Sequence, residues 1–310
     1  MASGAKNYSI ASDELNLTSL EYAKHSQNAI FVGGIPWEKY NGILTPLCVP
    51  HVPIDVDRDE LRRALDRNKM LLALWTTHWE SFSDSQWWWV VCDIDEYDVT
   101  RVESSRGRSS IRRGLRSCVV RRLRAGDFIS LSYPLHKAAL ERYGVDAPDE
   151  NQYAEEIMAL GRNPGNHFWG AFVEEQMAAY LFCRVMDGVC RTVTGAPLKE
   201  LNKYNPMAAM FYTVSKYYLD KDLNYVTNGW RTLLHDTSMN DFLETLGFRK
   251  VFCKVNIELS PLAKIINSSH LIKWGAYLRL NRLSSERWRQ LEAFSRLVKI
   301  FKTFDKYSER

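Results

Sequence analysis

The sequence predicts an α+β protein: a mixed, mainly antiparallel sheet flanked by helices, with a small N-terminal α/β unit and a basic helical C-terminal tail. Two stretches carry that prediction. Residues 167–194 hold three apolar runs separated by tight turns at 174–176 and at Asp187 and Gly188, the second a strong hairpin signal. Asn205 and Pro206 then open an apolar stripe at helical spacing, and "LNYVTNG" follows as a strand. A strand–helix–strand connection brings the second strand parallel to the first through a right-handed crossover. The chain has 310 residues, 45% of them hydrophobic, enough for one large or two modest cores.

Each element has a local reason. Residues 28–50 read as a short strand, a Gly-rich turn and a Pro-punctuated extended segment. "DRDELRRALDR" (57–67) has Leu61 and Leu65 one turn apart behind an acidic start, the mark of a surface helix. Residues 69–79 and 85–94 are apolar runs of strand length. The second contains Trp87, Trp88 and Trp89, which fill a core and seam or form a ligand platform. In 100–127 the spacing predicts an apolar stripe of Val102, Ile111, Leu115 and Val119, with Gly107 and Gly114 weakening the helix. "LHKAALERYG" (135–144) is a helix ended by Gly144, and Asp149 with Gln152 opens the next as a capping box. Met207, Met210, Phe211, Val214 and Tyr218 lie on one face of the helix that Asn205 caps. A helix carrying Phe242, Leu243 and Leu246 leads to a closing strand, 248–259. Residues 284–304 form an amphipathic basic helix, either packed or lying on an anionic membrane or partner. Domain boundaries are expected at 98/99 and 260/261, giving units 1–98, 99–260 and 261–310.

The net charge of +4 hides an asymmetry. Residues 101–124 hold nine Arg and one acid; residues 261–310 hold 11 Lys or Arg and four acids. Two basic segments stand on an acidic body, which favours anionic partners. Nine arginines in 24 residues suit phosphate, through their planar donor forks. The six cysteines show no CxxC spacing, which suggests neither a disulfide framework nor a zinc site. The first 16 residues lack an apolar secretory core, and no apolar run reaches 18 residues, so a cytoplasmic protein is expected.

The meander 167–194, the helix at Asn205 and Pro206, "YVTNG" and "FLETLGFRKVF" together resemble the GNAT acyltransferase fold over about residues 100–260. "RGRSSIRRG" and "GNHFWGAFVEEQMAAYLF" are similar to its FemAB and CelD-like branch. The resemblance implies N-acyl transfer from acetyl-CoA or another acyl-CoA to an amine, or, as in Fem ligases, transfer from aminoacyl-tRNA, with no metal. It allows 1–98 as a degenerate GNAT-like half, and a non-catalytic GNAT-like binding module as a third alternative. The loop "GAPLKELNKYNP" departs from the usual Gly-rich diphosphate motif; only Gly195 stands there.

Direct attack in a ternary complex needs orientation, a base and oxyanion support, not a nucleophile triad. GNAT-like geometry places Thr192, Thr194, Thr227 and Asn228 on splayed strand ends. The candidate catalytic residues are His235 as base, Asp236 beside it and Tyr225 as donor to the leaving group. The candidate donor-binding residues are Thr194, Gly195, Lys203, Asn205, Asn228, Arg231 and Arg112, with Lys199 near the helix start. Candidate partners are a small-molecule or peptide amine, tRNA or another anion along residues 101–124, and a membrane surface at the C-terminal helix. His167 reads as structural.

Overall fold

The computed structural model describes residues 15, 17–40, 42–80, 87–142, 144–231, 239–261 and 263–264. In chain order the elements are α1 (Ser19–Lys24), β1 (Ala29–Val32), β2 (Ile35–Tyr40), β3 (Ile43–Pro46), α2 (Arg58–Arg67), β4 (Leu72–Thr77), β5 (Trp88–Cys92), α3 (Ser105–Ser117), β6 (Val119–Leu123), α4 (Ala125–Arg142), α5 (Glu150–Gly161), β7 (Asn166–Val173), β8 (Gln176–Met186), β9 (Val189–Pro197), α6 (Pro206–Leu219), β10 (Tyr225–Trp230), α7 (Met239–Thr245), β11 (Arg249–Phe252) and β12 (Lys254–Leu259). The chain forms two compact units. The first comprises the described residues within Met1–Ser26, Val90–Gly229 and Met239–Lys250; the second, those within Gln27–Trp89, Trp230–Ser238 and Val251–Arg310.

The second unit carries a five-stranded sheet in the order β1-β2-β3-β4-β12. Its strands are antiparallel except for β3 and β4, which are parallel. Asp57 caps α2 by accepting from the Asp59 and Glu60 amides, and Leu61 and Leu65 bury the helix face against Trp37 and Leu44. Trp87 and Trp89 pack on Trp230 with ring centroids 6.0 and 5.4 Å away. Both are buried, so this stretch is core.

The first unit is built on a sheet in the order β11-β5-β10-β9-β8-β7-β6. From β6 to β9 neighbouring strands run antiparallel, as the tight turns require, while β10 joins β9 in parallel after the α6 crossover. One face is covered by α4 and α5, which bury Phe128, Leu135, Tyr153 and Ile157 against Phe168, Tyr180 and Phe182. Each such aromatic contributes roughly 1.5–3 kcal/mol by leaving water.

Four expectations are corrected. The 135–144 helix begins ten residues earlier, because α4 accommodates Pro134 within its length. The stripe of Val102, Ile111, Leu115 and Val119 is not one face: α3 buries Gly107, Ile111 and Gly114, and the chain enters β6 at Val119, which is 64% exposed. The expected closing strand breaks at Cys253 into β11 and β12, which pair in different sheets. Asn205 does not cap α6 through its side chain; it has a left-handed backbone, φ 54° and ψ 46°, where a 3-10 turn over Lys199–Tyr204 meets the helix. Residues 265–310, with the expected amphipathic helix, lie outside the described residues.

His167 ties β7 to α6. The Tyr218 hydroxyl donates to its Nδ1 over 2.6 Å and accepts from the Trp169 indole N–H over 3.2 Å, while Nε2–H donates to the Pro164 carbonyl over 3.1 Å. Every polar atom of this buried cluster thus has a partner. Burial, reinforced by the Arg122 guanidinium, pushes the imidazole down to about 3. Between that value and the usual 6.5 the unfolded chain binds a proton that the folded chain refuses, so stability falls as pH drops through this window and is level above it. Urea denaturation between pH 7.5 and pH 4.5 will show wild-type stability declining with a component of up to about 1.4 kcal/mol per pH unit, which His167→Gln removes.

Candidate active site

The site is a wedge between two parallel strands. Tyr225, Val226 and Thr227 of β10 pair with Val189, Cys190 and Arg191 of β9. Beyond these three positions the strands no longer pair. On its other side β9 carries a bulge: Phe182 opposes Thr194 and Cys183 opposes Thr192, which leaves Val193 as an extra residue, 41% exposed. A bulged residue drops out of the ladder and re-aims its backbone. Side chains hold the divergence in place. The Thr192 hydroxyl donates to Asn228 Oδ1 over 2.7 Å, and the Gly229 amide donates to Thr227 Oγ1 over 3.0 Å. The Thr227 hydroxyl in turn donates to the Val90 carbonyl over 2.8 Å. Gly229 has φ +85°, a conformation that few other residues adopt at low cost.

Helix α6 follows β9 and starts beside α3. A Cβ added to Gly114 would lie 2.7 Å from the Asn205 carbonyl oxygen and 3.0 Å from Ala209 Cβ, so only glycine permits this approach. The Asn205 carbonyl accepts from the Ala209 amide over 3.2 Å, and among the described residues the Met207 and Ala208 amides of the first turn have no acceptor. On α3, Arg106, Arg112, Arg113 and Arg116 are exposed, and among the described residues they make no ion pair or side-chain hydrogen bond. Arg108 instead donates to the Val102 and Glu103 carbonyls, and Arg101 pairs with Glu96 over 3.0 Å.

Across β9 from the wedge lies a polar cluster that the sequence does not advertise. His136 Nδ1 is 3.0 Å from the Tyr180 hydroxyl, and the imidazole stacks on Tyr153 at 4.8 Å. The Tyr153 hydroxyl is 2.8 Å from Ser132 Oγ. Burial raises the Tyr180 phenol far above its ordinary value, Tyr153 adds to the rise, and a hydrogen bond with the Thr194 side chain opposes it. Burial lowers His136 below the usual histidine value. The legible signal was the i, i+4 pair Ser132 and His136, but that pair shares a helix only once α4 is known to begin at Ala125.

The structure gathers some of the expected residues and separates others. Thr194, Asn228, Thr192 and Thr227 all stand at the wedge. Gly195 follows Thr194, but its small size serves strand packing: a Cβ there would meet the Tyr180 carbonyl oxygen at 2.7 Å and Leu181 Cδ1 at 2.8 Å. Lys203 is exposed just before α6, its ammonium 5.0 Å from the Tyr204 ring. Arg112 lies on the exposed face of α3. Tyr225 is removed from the wedge because it begins β10 at the paired end, opposite Val189; burial and Asp93 keep its phenol protonated. Arg231 belongs to the second unit, where its amide donates to the Trp88 carbonyl over 2.9 Å and its guanidinium lies 4.7 Å from the Trp88 ring centre. His235 and Asp236 fall within 232–238, outside the described residues. No cluster of three or more metal-ligating side chains occurs among the described residues, and no helix there is long and apolar enough to cross a membrane.

Solved structures share this fold. FemX aligns over 85% of this chain and all of its own, with 12% identity and a TM-score of 0.51. The C-terminal domain of a protein described as a lysylphosphatidylglycerol synthetase, from Agrobacterium fabrum, aligns over 84% of this chain and 96% of its own, with 8% identity and a TM-score of 0.52. L-PGS from Bacillus licheniformis aligns over 89% and 99%, with 12% identity and a TM-score of 0.50. The chain shares the overall fold of these three proteins. No family model and no curated protein sequence matches it.

Within the first unit the contact of α3 with α6 sets where the wedge-side helix begins. Gly114→Ala would gain up to about 1 kcal/mol of helix propensity. Overpacking against a backbone carbonyl, which cannot rotate away, costs roughly 1–3 kcal/mol. The second effect wins, so urea denaturation of Gly114→Ala will show a net loss of stability.

Proposed function

We propose that the chain transfers an acyl or aminoacyl group to an amine by direct attack within the wedge between β9 and β10. The observation that carries this reading is the bulge at Val193, set where the parallel pairing of β9 and β10 ends. Acyl transfer needs an extended site in which a carbonyl can lie along a strand and meet backbone N–H donors as its oxygen gains charge. A bulged strand with one open side offers such donors already oriented. The amine lone pair forms the C–N bond, the carbonyl oxygen takes the displaced electron pair, and collapse expels the leaving group.

The first donor class is acyl-CoA. The Met207 and Ala208 amides at the start of α6, with exposed Lys199 and Lys203, support an anion there. The Gly195-to-Pro206 loop suits a diphosphate only in part, since a 3-10 turn occupies Lys199–Tyr204 and strand packing claims Gly195. Calorimetric titration with acetyl-CoA and with longer acyl-CoAs will show saturable binding to at least one. No heat from any of them sinks the CoA donor.

A second reading, an aminoacyl-tRNA donor, has its own support. Arg106, Arg112, Arg113 and Arg116 form an exposed face without partners among the described residues, more suited to a phosphate backbone than to solubility alone. The named product of the Agrobacterium fabrum relative, a lysylated lipid, is also an aminoacyl compound. Arg112→Ala with Arg113→Ala will weaken tRNA binding in filter assays and lower the slope of log affinity against log salt by about 1–2. Unchanged affinity and slope count against the RNA donor.

A further inference from the structure

We infer that the side-chain amide of Asn228 donates a hydrogen bond to the acyl carbonyl oxygen as that oxygen gains charge, with Thr192 as the residue that aims it; this rests on the transfer reading above.

The register puts Asn228 at the mouth of the wedge. The last ladder pair is Thr227 with Arg191, so Asn228 is the first residue of β10 beyond it. Its side chain spans both walls, because Oδ1 accepts from the Thr192 hydroxyl of β9 over 2.7 Å. That hydroxyl has a single proton, and its contact with the Thr227 carbonyl is longer, at 3.4 Å. Thr192 is buried and directly precedes the bulge residue Val193. A carboxamide has one acceptor oxygen and two N–H donors. With Oδ1 held from β9, the plane of the amide is set, and among the described residues Nδ2 has no acceptor. An aspartate would serve the bridge to Thr192 equally well; the amide differs by the donors on Nδ2. The backbone after Asn228 is held too, since Gly229 takes φ +85° and its amide donates to Thr227 Oγ1 over 3.0 Å. A cation stands beside this point: the Arg191 guanidinium lies 3.5 Å from where a Cβ on Gly229 would be. Its charge favours a negative oxygen nearby.

The two walls then contribute different donors. The bulged strand offers backbone N–H groups from β9, and Asn228 offers a side-chain N–H from β10. Attack by the amine lone pair forms the C–N bond and moves the carbonyl π pair onto oxygen. Nδ2–H strengthens its bond to that oxygen and keeps its proton. Collapse returns the pair to the carbonyl and breaks the bond to the leaving thiolate or ribose oxygen. The surplus proton of the ammonium ends on that leaving group, through water. A hydrogen bond to an oxyanion is roughly twice as strong as one to a neutral carbonyl. The Asn228 bond therefore acts on the transition state more than on the bound donor, and its loss appears in kcat.

Two measurements on the full chain separate this from the transfer reading. Side-chain amide NMR, with Asn228→Asp for assignment, will show the Nδ2 protons exchanging with solvent as in an open carboxamide. Protection from exchange overturns the proposal whether or not any donor binds, because the protein then already uses those donors. In turnover of acetyl-CoA with a panel of primary amines, Asn228→Asp, which keeps the acceptor for Thr192, will lose about 10²–10³-fold in kcat. Asn228→Ala will lose as much, with its KM for acetyl-CoA little changed. Thr192→Val will lose less, and Thr192→Ser, which keeps the hydroxyl, will recover most of that loss. Wild-type-like kcat in Asn228→Asp overturns the assignment, and so does an effect of Asn228→Ala on KM alone, the mark of uniform binding. Absence of wild-type turnover counts against the transfer reading alone, and amide exchange then decides for Asn228.

Discussion

The first unit depends on one constraint: β9 and β10 share a parallel ladder for only three residues. A longer ladder would leave no wedge, and none at all would leave no common wall. The Thr192 hydroxyl reaches across to Asn228 Oδ1 and the Thr227 carbonyl where the ladder stops, while Thr227 turns its own hydroxyl to the Val90 carbonyl of β5. Unpaired polar groups in a partly buried sheet are costly, so these side-chain bonds fix where pairing stops. The bulge at Val193 lies two residues beyond Arg191, the last paired position of β9, and adds local twist there.

Two kinds of packing support the wedge. On one face, glycines let helices approach to backbone distance: Gly114 meets Asn205 and Ala209, and Gly107 meets the Thr245 carbonyl. Helix propensity is sacrificed for position. On the other face, aromatic rings carry polar tips into the interior. Tyr180, Tyr153 and Ser132 around His136 repeat the logic of Tyr218 and Trp169 around His167, in which each hydroxyl finds a partner within the core. The two histidines differ in consequence. His167 uses both ring nitrogens and is structural; among the described residues His136 is hydrogen-bonded at one nitrogen only.

Much of the architecture was legible because it follows from local rules. The meander of β7, β8 and β9 is written in its turns and apolar runs. The parallel return of β10 follows from the crossover rule. Arg112 and its neighbours were visible as charge density and did emerge on an exposed helix face. Legibility failed where a residue's role depends on a distant neighbour. Gly107 and Gly114 read as weak points of a helix, because propensity is a property of one residue, while close approach is a property of two. Gly195 read as a phosphate glycine, whereas the Tyr180 carbonyl claims its space. Tyr225 read as a donor to the leaving group, but it begins β10 opposite Val189, at the paired end of the strand.

The sequence by itself determined the strand–helix order, the mainly antiparallel sheet and the concentration of arginine, since periodicity, turn chemistry and charge are all encoded within windows of a few residues. Tertiary structure alone decided where β9 and β10 part, which strand bulges and which histidine meets Tyr180. Those features arise from register between segments separated by dozens of residues. Register is selected by the fit of whole faces, a quantity that no single window contains.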